Sequence, residues 1–145
     1  MSRDLNLLHS VFRPKVDLFL QDIKDAKIDL IVTCTYRSFA EQNALFEQGR
    51  SKPGPIVTNA QGGQSAHNYG LAIDCGVFRG GKYLDSDEPK TASAFHKKAG
   101  QLAASYGLTW GGTFKNIVDE PHFELSHGLP ILTLLDKHNR GEDIL

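Results

Sequence analysis

The run Leu71-Ala72-Ile73-Asp74-Cys75-Gly76-Val77 sets a carboxylate in the middle of an apolar, strand-like stretch. Such a stretch reads as a buried strand, and a buried carboxylate is costly unless a cation or hydrogen bonds compensate it. The chain must therefore fold so that some compensating group reaches the centre of this strand. Seven residues upstream, His67 lies in a glycine-rich loop. Taken alone, this pair reads equally well as a loop histidine and a hairpin acid.

A second segment shifts that balance. Asp119-Glu120-Pro121-His122-Phe123-Glu124-Leu125 places a histidine in a β-like run, with acids three and two residues before it. Zinc accepts imidazole nitrogen and carboxylate oxygen at about 2.0–2.2 Å. A catalytic zinc site needs three protein ligands, an open position for water and a nearby carboxylate as base. His67, Asp74 and His122 supply the ligands, and either Asp119 or Glu120 supplies the base. In an extended strand His122 and Glu124 share a face, which makes Glu124 a partner able to orient a ligating imidazole. The alternative for Glu124 is a plain edge-strand charge.

The pattern around these residues predicts an α+β fold, a small antiparallel sheet with flanking helices. Apolar residues at helical spacing run through 4–26, with Pro14 interrupting them and starting a second helix. Residues 29–36 are β-branched and continuous, a buried strand. Ser38, with Glu41 three residues on, forms a capping box for a helix through about Gln48. Residues 49–64 make a long loop, and loops of this length are usually functional. The strand at 71–77 turns at Arg79-Gly80-Gly81-Lys82 into a hairpin through Tyr83-Leu84. A helix over 90–106 ends at Gly107, short strands fall at 108–110 and 122–125, and Pro130 opens a last helix.

With 145 residues the chain is expected to form a single domain, 1–145, with little room for a second. A domain of this size folds without a staple, so a metal here serves chemistry rather than folding. The net charge of −1 and the absence of a long basic run argue against nucleic acid as a partner. No apolar run approaches the ~20 residues needed to span a bilayer, and the first residues lack an apolar core and a cleavage site. Synthesis in the cytoplasm without a secretion address is the expectation. Cys34 and Cys75 both lie in apolar runs and are expected to be reduced core thiols. Among the remaining histidines, His9, His96, His127 and His138 are expected to be surface or core residues, with His127 nearest to His122 in sequence.

The pattern S-x-H-x-x-G-x-A-x-D, followed by Trp110-Gly111-Gly112 and then D-x-P-H-F-E, resembles the zinc D-alanyl-D-alanine carboxypeptidase family. The likeness is greatest to its phage endolysin branch, the L-alanyl-D-glutamate peptidases. It extends to Thr35-Tyr36-Arg37-Ser38, Glu41-Gln42 and Gln48-Gly49-Arg50, and so covers nearly the whole chain. The resemblance implies that one Zn2+ per chain is held by His67, Asp74 and His122, with Asp119 as the general acid/base. It implies Arg37 beside the scissile carbonyl, where a guanidinium can hold a developing oxyanion, and Ser65 as a substrate-holding residue. It further implies a monomeric peptidase of the peptidoglycan stem peptide that lyses bacteria once another protein opens the membrane. A D-alanyl-D-alanine carboxypeptidase of wall recycling and a non-catalytic zinc-bearing wall-binding module are the alternatives.

Overall fold

A computed structural model describes all residues from Met1 to Leu145. Five strands form one antiparallel sheet: β1 (Leu30–Cys34), β2 (Ala72–Arg79), β3 (Lys82–Tyr83), β4 (Leu108–Trp110) and β5 (His122–Leu125). The spatial order is β1-β2-β5-β4, with β3 paired to the far end of β2. The strand bearing Asp74 is thus central and hydrogen-bonded on both sides, which satisfies its backbone and buries it. The helices are α1 (Arg13–Asp25), α2 (Phe39–Glu47), α3 (Leu84–Asp87), α4 (Pro89–Ala103) and α5 (Ile131–Asn139). No helix is long and apolar enough to cross a membrane. The fold is the α+β arrangement that the sequence predicts.

The core forms where α1 and α4 cover the sheet. Val16, Phe19 and Ile23, at helical spacing on α1, meet Ile73 and Cys75 of β2 and Phe123 and Leu125 of β5. Ala99 and Ala103 of α4 are fully buried there, small enough to let the helix approach closely. Because side chains alternate along a strand, sending Ile73, Cys75 and Phe123 into this core sends Asp74 and His122 out of the opposite face. Hydrophobic burial on one side therefore dictates which residues meet on the other.

The element boundaries differ from expectation in three places. Only one 3-10 turn, Leu5–Leu7, forms before Pro14 instead of a first helix. The following residues are instead spent crossing the end of β2, where the His9 amide donates to the Gly70 carbonyl. Leu84, expected to extend the hairpin, opens α3, with Asp85 turned back to accept from the Val77 amide at 2.7 Å. The third difference is a bulge in β1. Val32 pairs with Cys75, but Cys34 rather than Thr33 lies opposite Asp74. The extra residue flips Cys34 from the core face to the Asp74 face. Cys34 and Cys75 are both free and buried, as expected, but only Cys75 joins the core.

The Phe123 ring is fully buried and packs 4.9 Å from the Phe19 ring. Truncation to alanine leaves a cavity directly beneath the strand that carries His122. Phe123→Ala should therefore destabilise the protein by about 3–5 kcal/mol in equilibrium denaturation, and Phe123→Leu by distinctly less.

Candidate metal centre

Asp74 and His122 stand directly opposite each other on β2 and β5, so both side chains leave the sheet on one face. Asp74 Oδ1 lies 3.3 Å from His122 Nδ1. His67 reaches the same oxygen from the short 3-10 turn Ala66–Tyr69, with Nε2 at 3.2 Å. That turn is capped by Ser65, whose Oγ accepts from the His67 amide. It ends at Gly70, which adopts the left-handed conformation (φ +67) that lets the chain enter β2. The turn is docked on Arg37 from both sides. The Arg37 amide donates to the His67 carbonyl, and the Asn68 side-chain amide donates to the Arg37 carbonyl.

The outer nitrogens decide what the inner ones can do. His67 Nδ1 lies 2.7 Å from the Thr35 carbonyl oxygen, which only accepts. Nδ1 therefore carries a hydrogen, and in the neutral ring Nε2 is left as a lone pair facing Asp74. His122 Nε2 lies 2.8 Å from Glu124 Oε1, which by the same logic leaves Nδ1 as the lone pair. With both rings neutral, two imidazole lone pairs face one carboxylate oxygen with no hydrogen among them, and the ligand atoms form two tight groups that share Asp74: Cys34, His67 and Asp74, and Asp74, Asp119 and His122. Something positive must sit there: either a proton on each ring or a metal ion. Two imidazole nitrogens and one carboxylate oxygen form a donor set suited to a divalent first-row metal.

Without a metal, the protons are that positive charge. Burial alone depresses the His67 imidazolium, but the hydrogen bond and charge of Asp74 outweigh it and raise the group to about 10. His122 is likewise depressed by burial and lifted by Asp74 and Glu124 to about 9. Burial works to raise the Asp74 carboxyl, yet the two histidines hold it well below the usual carboxylate range.

The acids that precede His122 point in different directions. Asp119 Oδ2 lies 3.9 Å from His122 Nδ1 and faces the cluster; burial raises its pKa above the ordinary carboxylate value. Glu120 turns the other way and accepts from Ser93 Oγ on α4 at 2.8 Å. Arg37 Nη2 lies 3.7 Å from Asp74 Oδ2. Together with Ser65 and Gln48, these groups line a cleft of about 370 Å³. His127 accepts from the Leu129 amide and His138 stacks on Phe39, both as residues of their own local structure. His96 is buried against Asp85.

Three features lie beyond the reach of sequence reasoning. Cys34 Sγ sits 3.9 Å from His67 Nδ1, a consequence of the bulge, which period-two patterning cannot register. Gln42 is fully buried; its Oε1 accepts from Arg37 Nη1, and its Nε2 donates to the Ala60 carbonyl, so one side chain ties the arginine to the 49–64 loop. Trp110-Gly111-Gly112 shapes the turn that presents Asp119. A Cβ on Gly111 would stand 2.1 Å from the Asp119 carbonyl oxygen, and the Trp110 indole donates to the Glu120 carbonyl. The paired glycines after an aromatic are the one signal in the sequence for such a close approach.

The sequence profile of the D-alanyl-D-alanine carboxypeptidase family matches residues 58–125. Over 122 residues the chain is 36% identical to the peptidoglycan L-alanyl-D-glutamate endopeptidase CwlK of Bacillus subtilis (strain 168), spanning 81% of this chain and 73% of that one. The chain belongs to this peptidase family. Among solved structures, the Serratia marcescens L-Ala D-Glu endopeptidase ChiX superposes with a TM-score of 0.59 at 21% identity, over 83% of this chain and 82% of that one. The vancomycin-resistance D,D-pentapeptidase VanY, solved with Zn(II), superposes with a TM-score of 0.62 at 13% identity, over 94% and 81%. The span that matches the D-alanyl-D-alanine carboxypeptidase profile holds Ser65, His67, Asp74, Asp119, His122 and Glu124. Arg37 lies outside it and reaches the cleft through the fold.

The two protonated imidazoles make the metal-free protein pH-sensitive in a defined direction. Both have folded values above the unfolded histidine value of about 6.5. Their contribution is complete below that pH and is lost as pH rises through about 9 and 10. The melting temperature of chelator-treated protein should fall between pH 6.5 and 10. Metal-loaded protein needs neutral rings and should show no such fall over the lower part of that window. Equal pH profiles with and without chelator would rule out this competition between protons and metal.

Proposed function

We propose that this chain is a zinc-dependent endopeptidase of the bacterial peptidoglycan stem peptide, acting on the amide between L-alanine and D-glutamate. The observation that carries the reading is the convergence of His67 Nε2 and His122 Nδ1 on Asp74 Oδ1, with Asp119 beside them. The relatives named for this activity, and the zinc in the VanY structure, support the substrate and the metal.

His67, Asp74 and His122 would hold the ion, and Thr35 and Glu124 fix the two rings that bind it. When bound, zinc supplies Lewis acidity toward a carbonyl oxygen and acidifies a coordinated water. Asp119, its pKa raised by burial, accepts the proton of the attacking water and returns it to the leaving amine. The Arg37 guanidinium, held by Gln42, stabilises negative charge developing on the substrate oxygen. Ser65 lines the same cleft and offers its hydroxyl to the substrate backbone.

Endopeptidase action is favoured over carboxypeptidase action by the charges around the cleft. A carboxypeptidase recognises a free terminal carboxylate with a cation. Arg37 is the only guanidinium or lysine ammonium lining the cleft, and it serves the oxyanion; the ammonium of Met1, which also lines the cleft, is paired with Glu41 at 3.2 Å. Arg50 lies over Phe46 and binds the Thr58 carbonyl, Lys52 pairs with Glu47, and Arg79 pairs with Asp29. Each is engaged elsewhere. The role in bacterial lysis, as a phage enzyme released from the cytoplasm, is part of the same proposal and rests on the likeness of the motifs to endolysins.

Metal analysis should find one zinc per chain, and His67→Ala or His122→Ala should abolish it, since two ligands do not retain the ion. Full occupancy after either change would sink the ligand assignment.

Asp119→Asn should keep zinc and fold but lose about 10²–10⁴ in turnover. Mass spectrometry of digested peptidoglycan should show new amino termini on D-glutamate; release of free D-alanine alone would overturn the endopeptidase reading.

A further inference from the structure

The Asp119 carboxylate is half exposed and makes no side-chain hydrogen bond, so its place depends on the turn that carries it. Behind that turn lies a cavity of about 320 Å³, bounded by Tyr83, Asp85, Ser93, His96, Val118 and Glu120. The turn borders this solvent-open pocket on one side, and polar tethers hold it. Four of them involve the main chain: the Asp119 amide donates to the Gly111 carbonyl at 3.0 Å, the His122 amide to the Asp119 carbonyl at 3.1 Å, the Cys75 amide to the Pro121 carbonyl at 2.8 Å, and the Trp110 indole to the Glu120 carbonyl at 2.7 Å. The only one made by a side chain of the turn itself reaches α4, where Ser93 Oγ donates to Glu120 Oε2.

The far end of that tether is itself fixed. His96, one turn after Ser93 on α4, is almost fully buried and holds Asp85 Oδ2 at 2.6 Å through Nε2. Asp85 Oδ1 accepts from the Val77 amide on β2, the strand that bears Asp74. Asp85 and His96 thus tie α4 to β2, and Ser93, on the same helix, ties α4 to Glu120. We propose that Glu120 is a positioning residue: clamped by Ser93, it fixes the neighbouring Asp119 against the metal ligands while its own carboxylate stays out of the cleft. The proposal rests on the endopeptidase reading with Asp119 as the proton-transfer group. Misplacing such a group by 1 Å costs on the order of a hundredfold in rate, so a single hydrogen bond in this position has kinetic weight.

Two measurements test it on the zinc-loaded protein. With peptidoglycan as substrate, Glu120→Ala and Ser93→Ala should each lower kcat about tenfold or more, leaving KM and zinc content unchanged. Glu120→Gln keeps an oxygen that accepts from Ser93 and should stay within about threefold of the starting enzyme. Joining Ser93→Ala to Glu120→Ala should add nothing further, because both remove one contact. Hydrogen exchange, which needs no activity, should show faster exchange at the Asp119 and His122 amides in Glu120→Ala and Ser93→Ala but not in Glu120→Gln. Unchanged exchange in both alanine variants overturns the clamp. Glu120→Gln as inactive as Glu120→Ala, with exchange undisturbed, overturns it in favour of direct chemistry by Glu120. If the unaltered zinc-loaded protein leaves peptidoglycan uncut, the endopeptidase reading fails, and exchange alone decides the clamp.

Discussion

Asp74 sits midway along the central strand of the sheet, between an imidazole delivered by a neighbouring strand and another delivered by a turn. A carboxylate in that place is tolerable only while positive charge accompanies it, and the surroundings of the two rings are arranged to supply it. Thr35 and Glu124 occupy the outer nitrogens, so the inner ones can face Asp74 only as lone pairs around a cation or as N–H groups. The rest of the site follows from this demand. The sheet register places His122 opposite Asp74, and the core on the far face locks that register, because a slip of one residue would turn Phe123 out to solvent.

Much of this is legible in the amino-acid sequence. The apolar run around Asp74 and the β-like run at His122 mark the two strands, and Ser38 with Glu41 marks the start of α2, whose capping box is formed in full. What is not legible depends on contacts between distant segments. Nothing in local sequence distinguishes Asp119 from Glu120 as the acid facing His122; the contacts of Trp110, at the end of β4, and of Gly111, just after it, make that choice. The bulge in β1 is hidden for a related reason. Val32-Thr33-Cys34 has the composition of an unbroken strand, and only pairing with β2 reveals the extra residue. Gln42 falls within the family resemblance, but its role is not legible there, since a glutamine in a short helix is ordinary until its two ends are seen to meet different partners.

The site also separates rigid from adjustable parts. Asp74, His122 and His67 come from β2, β5 and the capped turn that leads into β2, all in or against the sheet. Arg37 is fixed at second hand, through Gln42. The orienting groups differ: the Thr35 main-chain carbonyl for His67, the part-buried Glu124 carboxylate for His122, and the fully buried Gln42 side chain for Arg37.

The 49–64 loop behaves differently. It is bound to α2 and its C-terminal end by side-chain strings from Gln42, Asn43, Gln48 and Arg50, to the carbonyls of Ala60, Pro55 and Thr58 and the amide of Gly62. It contributes Val57 and Thr58 to the cleft wall but none of the groups gathered at Asp74. Lengthening a loop between fixed tethers costs little, about 0.6 kcal/mol per doubling. Insertion or deletion between the strings can therefore reshape this wall while the groups gathered at Asp74 stay as they are, and Arg37, joined to the same loop through Gln42, would feel the change.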